Sequence, residues 1–295
     1  MKVQIPDNLK ADVPQSTWGK LLTATPVVMT VIATMLAGLS SSEMTRAQYD
    51  RSLAAQQQSK AGDQWSFFQA KRLRGAMQRS TLDVLQGTTE IHPLALSALP
   101  SAGELSPAVI AALERNEIPA VAAPALAAEV KNAIGALEGQ KSEAEIFNIL
   151  EPVSEQTLAD SLRLAIDNTI ALDAATKPVN QTIEQLEKSV RGDKTMSRDF
   201  FAARLRYNAA RYDAEAHLNQ TVAFVYELQV RKSNHSAERH HARSQRFFYG
   251  MLAAQLAVII ATFAIAARQR NLLWSIAAVA GLAAVVLAVY VYVYV

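Results

Sequence analysis

Apolar positions along this chain fall into three long runs and, between the first two, into stripes at helical spacing. The runs are Leu21 to Leu39, Phe247 to Ala267 and Leu272 to Tyr290, and none contains a charged side chain. A helix the length of Leu21–Leu39 covers about 28 Å, against roughly 30 Å of bilayer hydrocarbon. Each run therefore predicts a membrane-spanning helix. Trp18 and Lys20 stand at the edge of the first, suited to an interface, and Pro26 inside it is tolerated better in a membrane helix than in a soluble one. The last two runs are separated only by Arg268, Gln269, Arg270 and Asn271, so their helices are antiparallel neighbours. Trp274 near that loop and Tyr290, Tyr292 and Tyr294 at the far end mark the two interfaces. Gly250, Ala254, Ala257, Ala261 and Ala264 recur at steps of four and three, as do Ala277, Gly281, Ala284 and Ala288. Such stripes of small residues predict close helix packing in lipid.

The first run also invites comparison with a cleaved signal peptide, because Lys2, Lys10 and Lys20 precede it and Ser40 to Ser42 follow it. It is longer than the usual apolar region of such a peptide and lacks an A-x-A site, so it reads as an uncleaved anchor.

Between the spans the pattern changes to that of water-soluble helices. It divides the chain into an N-terminal segment (1–20), a first span (21–39), a proximal stalk helix (40–90), a helical insertion (91–179), a return stalk helix (180–246) and spans 247–267 and 272–290. In the proximal helix Ala61, Trp65 and Phe68 share a face, bordered by Lys71, Arg72 and Arg74, which read as solvated. The insertion is punctuated by Pro93, Pro100, Pro107, Pro119, Pro124 and Pro152, which predicts short helices. Ser106-Pro107 and Ala123-Pro124 have the form of helix starts, and Ser142 with Glu145 that of a capping box. A further helix is expected from about Ser154 to Asp173, with Pro178 closing the insertion and Gly192 breaking the chain before a long helix near Ser197. Along that helix Ala202, Leu205, Ala209, Tyr212, Ala216, Asn219, Ala223, Tyr226 and Val230 follow the 3, 4 spacing of a heptad seam. Pairing it with the proximal helix gives the economical topology; pairing it with a second copy of the chain is the alternative. The expected fold is an all-α integral membrane protein: three spans, a coiled-coil-like helical hairpin stalk and a small Pro-punctuated insertion.

Composition sharpens this picture. Half of the 295 residues are hydrophobic and 19% are charged, with a net charge of +2, so there is no global electrostatic footprint for nucleic acid. Without cysteine there is no disulfide, thiolate nucleophile or Cys-ligated metal. The spans lack the ionisable residues that mark proton relays and ion paths, which counts against a pump. Glycine-loop, nucleophile-elbow and paired-acid motifs are missing in usable context, so no catalytic residue, cofactor, metal ligand or small-molecule substrate is assigned. Functional side chains concentrate just before the second span. Arg239, His240, His241, Arg243 and Arg246 read as a basic belt facing lipid phosphates, and His235 with Glu238 as a weaker two-ligand metal pattern.

The segment AGDQWSFFQAK, residues 61–71, resembles that of a bacterial membrane-protein family known only as a domain of unknown function. The resemblance extends over about residues 15–86 and 200–290 and implies a first span, this segment and a C-terminal two-span hairpin, without an activity. It makes Asp63, Gln64, Trp65, Gln69 and Lys71 candidate interaction residues, joined from the heptad by Tyr212, Asn219 and Tyr226. The expected function is a non-enzymatic, membrane-anchored scaffold that pairs with itself or with another membrane protein. An oligomeric channel or transport accessory subunit is second, and an enzyme third. The cations near the spans, seven on the side of the large region against five on the other, lean toward a cytoplasmic large region, whereas the weight the rule gives to short loops favours the periplasmic side of a bacterial inner membrane, the reading taken.

Overall fold

The computed structural model describes residues 17–94, 96–98, 105–121, 125–267 and 270–294. The N-terminal lysines Lys2 and Lys10, the loop residues Arg268 and Gln269, and Pro100, Ala123 and Pro124 lie outside them. Among the described residues the protein is all α, with helices α1 (Thr17–Thr88), α2 (Pro107–Arg115), α3 (Ala128–Glu138), α4 (Glu143–Leu150), α5 (Glu155–Ser189), α6 (Lys194–Ala266) and α7 (Arg270–Tyr294), and a 3₁₀ turn at Leu96–Ala98. The first span and the proximal helix are one element, and α6 likewise runs on into the second span. The alternating Tyr-Val end is helical through Tyr294.

Two compact units are distinguished: unit 1 comprises Met1–Ser52 and Ser233–Val295, unit 2 Leu53–Lys232. Unit 1 holds the apolar runs, and among the described residues three helices are long and apolar enough to cross a membrane. The protein is a membrane protein. Its spans meet through the expected small residues, since Ala254, Ala257, Ala261 and Ala264 on α6 and Ala277 and Ala284 on α7 are all fully buried. A side chain at Gly250 would lie 3.3 Å from Leu36 of α1 and 3.5 Å from the Ala284 carbonyl of α7, so the three helices converge there. Val27, Val31, Met35, Leu256, Phe263 and Val286 face outward, as lipid-facing residues must. Hydroxyls inside the spans donate to carbonyls one turn back: Thr30 to Pro26 at 2.8 Å, Thr262 to Val258 at 2.7 Å. No donor is left facing hydrocarbon at these two positions.

Unit 2 is organised around α6, which is covered on two sides. One is the expected seam: Ala202, Leu205, Ala209, Ala216, Asn219, Ala223, Tyr226 and Val230 are buried and Tyr212 is half-buried. The seam is closed within one chain. On the other side Phe200, Ala203 and Tyr207 pack against Val179, Ile183 and Leu186 of α5 and Val109 and Leu113 of α2. Further along, Val225 and Leu228 pack against Val130 and Ala133 of α3, Leu150 of α4, and Val153 and Leu158 at the start of α5. The insertion is thus part of the main core and not a side domain.

The caps work as read. Ser106 caps α2 with Pro107 in its first turn, Ser142 and Glu145 form a reciprocal capping box on α4, and Ser154 accepts from the Thr157 amide at 2.9 Å at the start of α5. One boundary differs. Instead of ending near Asp173, α5 continues through Pro178 to Ser189, and α6 begins at Lys194. Pro178 is exposed, while Thr176, Val179, Ile183 and Leu186 around it are buried, so packing on both sides of the proline outweighs its missing N–H. A helix start at Ala123-Pro124 falls outside the described residues; α3 itself begins at Ala128.

Candidate functional site

Within the 61–71 segment, Ala61, Trp65, Phe68 and Lys71 lie on the side of α1 that meets α6. The Trp65 ring stands edge-on to Phe224 at 5.1 Å and to Phe68 at 5.4 Å, and its Nε1 donates to the Glu227 carboxylate at 2.7 Å. An indole placed this way contributes apolar area and a satisfied polar edge. Lys71, six residues on, is half-buried and paired with Glu215, so it belongs to the seam rather than to a solvated face; Arg72 and Arg74 are exposed. Glu215 also takes Arg211 at 3.1 Å, and the ammonium of Lys71 and the guanidinium of Arg211 lie 5.6 and 4.5 Å from the centre of the Tyr212 ring. Two cations thus share one carboxylate and one aromatic ring. Arg79 adds an ion pair to Asp213 at 2.5 Å. The helices approach closely here because position 75 is glycine: a Cβ would sit 3.1 Å from the Asp213 carboxylate.

The remaining residues of the segment divide. Asp63 and Gln69 are exposed, and Gln64 is half-buried. Asn219, expected to set register across the seam, donates to the Glu215 carbonyl of its own helix at 2.7 Å. Tyr226 is buried and lies 6.0 Å below the Lys60 ammonium, and burial raises the phenol's pKa above its ordinary value. Tyr207, fully buried with its hydroxyl lacking a hydrogen-bond partner, is raised for the same reason. Glu215 and Glu227 were not singled out by sequence. Their signal was present, since each directly adjoins a seam residue, Ala216 or Tyr226, where charges flank paired helices.

In unit 1 the basic cluster splits. His240 turns toward α1, its Nδ1 2.6 Å from the Glu43 carboxylate, which also has Arg46 at 3.8 Å. One turn further on, Ser244 donates to the Ser40 carbonyl at 2.8 Å and Ser40 to the Ser244 carbonyl at 3.0 Å. His241 contacts Gln245 at 3.0 Å through Nε2. Arg239 is exposed, Arg243 half-buried, and Arg246 lies 5.4 Å from the Tyr290 ring of α7. His235 is half-buried and Glu238 exposed, and among the described residues no group of three His, Asp or Glu side chains is arranged to hold a metal.

A further cavity of about 510 Å³ opens in unit 2 beside His92, Leu94, Leu113, Glu114 and Arg206. The His92 amide donates to the buried Asp199 carboxylate at 3.1 Å, which ties the loop after α1 to the first turns of α6. Sequence reading gave no sign of it, because its polar groups come from three distant segments.

Neither the curated proteins nor the solved structures include a match to this chain. The first span, the 61–71 segment and the loop that follows α1 fall within the stretch that does find a relative: residues 21–100 are similar to the family described as Domain of unknown function (DUF4337).

Proposed function

We propose that the protein is a non-enzymatic, membrane-anchored helical scaffold whose partner is a second copy of itself, engaged through the outer face of α1 in unit 2. One observation carries this reading. Leu73, Met77 and Val84, at steps of four and seven, are 63%, 58% and 64% exposed on the side of α1 away from Ala61, Phe68 and Gly75. A row of large apolar side chains on a solvated helix marks an association face. The heptad around Tyr212 and Tyr226 is already occupied within the chain, so it offers a second copy nothing.

Anchoring supports the same reading, since copies rooted in one bilayer are held parallel and at high effective concentration. The small residues of the spans are used to pack the helices of unit 1 together, which favours an anchor over the channel reading. Unit 2, which carries Leu73, Met77 and Val84, is assigned to the periplasmic side of a bacterial inner membrane, on the weight of short-loop cations. A reporter fused after Val295 that is active only in the cytoplasm would reverse that assignment.

The absence of native cysteine makes the association test clean. Single Leu73→Cys, Met77→Cys and Val84→Cys variants, oxidised in native membranes, are expected to give disulfide-linked dimers. Tyr226→Cys is expected to give none. Monomer from all three exposed positions would overturn the reading.

A further inference from the structure

Arg239, Arg243 and Arg246 recur at i, i+4 and i+7 and so share one face of α6, in the last turns before its apolar run. They differ from a set of arginines in unit 2. There Arg79, Arg115, Arg204, Arg211 and Arg231 each pair with a carboxylate. Among the described residues Arg239, Arg243 and Arg246 form no ion pair, and the buried Nε of Arg243 has no hydrogen-bond partner. The nearby Glu43 is engaged by His240 and Arg46.

The depth of the stripe is set by aromatic residues from two helices. Arg246 lies over Tyr290, which stacks on Tyr294 at 5.6 Å, and Phe248, Tyr249 and Tyr292 are exposed around them. Exposed aromatic side chains at the end of an apolar run sit at headgroup level. Unpaired guanidinium groups at that level meet phosphate, the one anion abundant there, and their planar fork binds it by two parallel hydrogen bonds. His240, turned toward Glu43, leaves the belt that sequence assigned it to, and Tyr290 from α7 joins.

We propose that Arg239, Arg243 and Arg246, with the Tyr290 ring against the last of them, form a site for the phosphate headgroup of an anionic phospholipid. The site rests on the reading that unit 1 spans a bilayer, and the test separates the two. The full chain is reconstituted in vesicles of phosphatidylcholine with a minor share of phosphatidylglycerol, extracted in mild detergent, and its retained lipid identified by native mass spectrometry. Wild type is expected to enrich phosphatidylglycerol at least tenfold over phosphatidylcholine. The triple variant Arg239→Gln, Arg243→Gln, Arg246→Gln should lose that enrichment, whereas Arg72→Gln with Arg74→Gln in unit 2 should keep it. Should the triple variant lose its helical circular dichroism, Arg243→Gln alone carries the test, with at least a threefold loss expected. Equal retention of both lipids by wild type, or enrichment unchanged in the arginine variants, overturns the site. So does displacement of the retained lipid by inorganic phosphate at equal concentration, which would make free phosphate the ligand. A chain that alkaline carbonate strips from these vesicles would instead overturn the membrane reading itself.

Discussion

The helices α1 and α6 are closed against each other twice, by different means. In unit 1 the contact is made by Ala33, Gly250, Ala254 and the Ser40–Ser244 pair; in unit 2 by Trp65, Phe68, Phe224 and charged pairs such as Lys71 with Glu215. The difference follows from the solvent each meets. In hydrocarbon there is no gain from hiding apolar surface, so the backbones must approach and small residues let them. In water burial itself drives association, and large aromatic side chains with satisfied polar edges serve best.

The comparison can be broken most forcefully in unit 2. Leu228→Ala, at a fully buried position, should cost about 2–5 kcal/mol and appear as a lower melting temperature by circular dichroism. An unchanged melting temperature would deny that apolar burial holds this unit. Unit 1 should respond to the opposite change. Ala257→Leu adds volume at a fully buried position of a span and should cost about 1–3 kcal/mol, read as earlier unfolding in a detergent titration, whereas the smaller Ala257→Gly should be milder. If the larger residue stabilises the unit, close packing is not its principle.

A subtler probe is Trp65→Phe, which keeps an aromatic ring but strips the Glu227 carboxylate of its indole donor. It should destabilise by about 1–3 kcal/mol, and a double variant with Glu227→Gln should recover part of the loss. Strict additivity would show that the pair is not coupled. The smallest effect concerns pH. Hydrogen bonds from the Ser142 hydroxyl and then its amide hold the Glu145 carboxyl below its ordinary pKa. Its contribution to α4 is therefore full above the ordinary carboxylate pKa and disappears as pH falls through the lowered one. Glu145→Gln should flatten that acid-side part of the thermal stability profile. An identical profile would mean that the capping box contributes nothing measurable.

The spans, the seam on α6 and three helix starts were legible because each rests on a local or strictly periodic pattern. What was hidden follows from the same fact. Between Val222 and Leu228 α6 is buried on nearly every side, so its second face, which meets α3, α4 and α5, leaves no stripe against a polar background. The passage of α5 through Pro178 depends on packing by α2 and α6, which no local rule contains. For the candidate sites, Trp65 was visible as an apolar position in a recurring segment. Glu227 and Glu43 were not, and Tyr290 was read as an interface marker but not as the partner of Arg246, since single side chains on long helices become partners only when two distant segments are brought together.

The Ser40–Ser244 pair also limits how these helices can move within unit 1. Each hydroxyl reaches the other residue's carbonyl, so sliding either helix by one turn, about 5.4 Å, breaks both bonds together. The pair works as a detent against piston-like strokes. A pivot of one helix about this contact, which keeps Ser40 and Ser244 face to face, leaves both bonds in place.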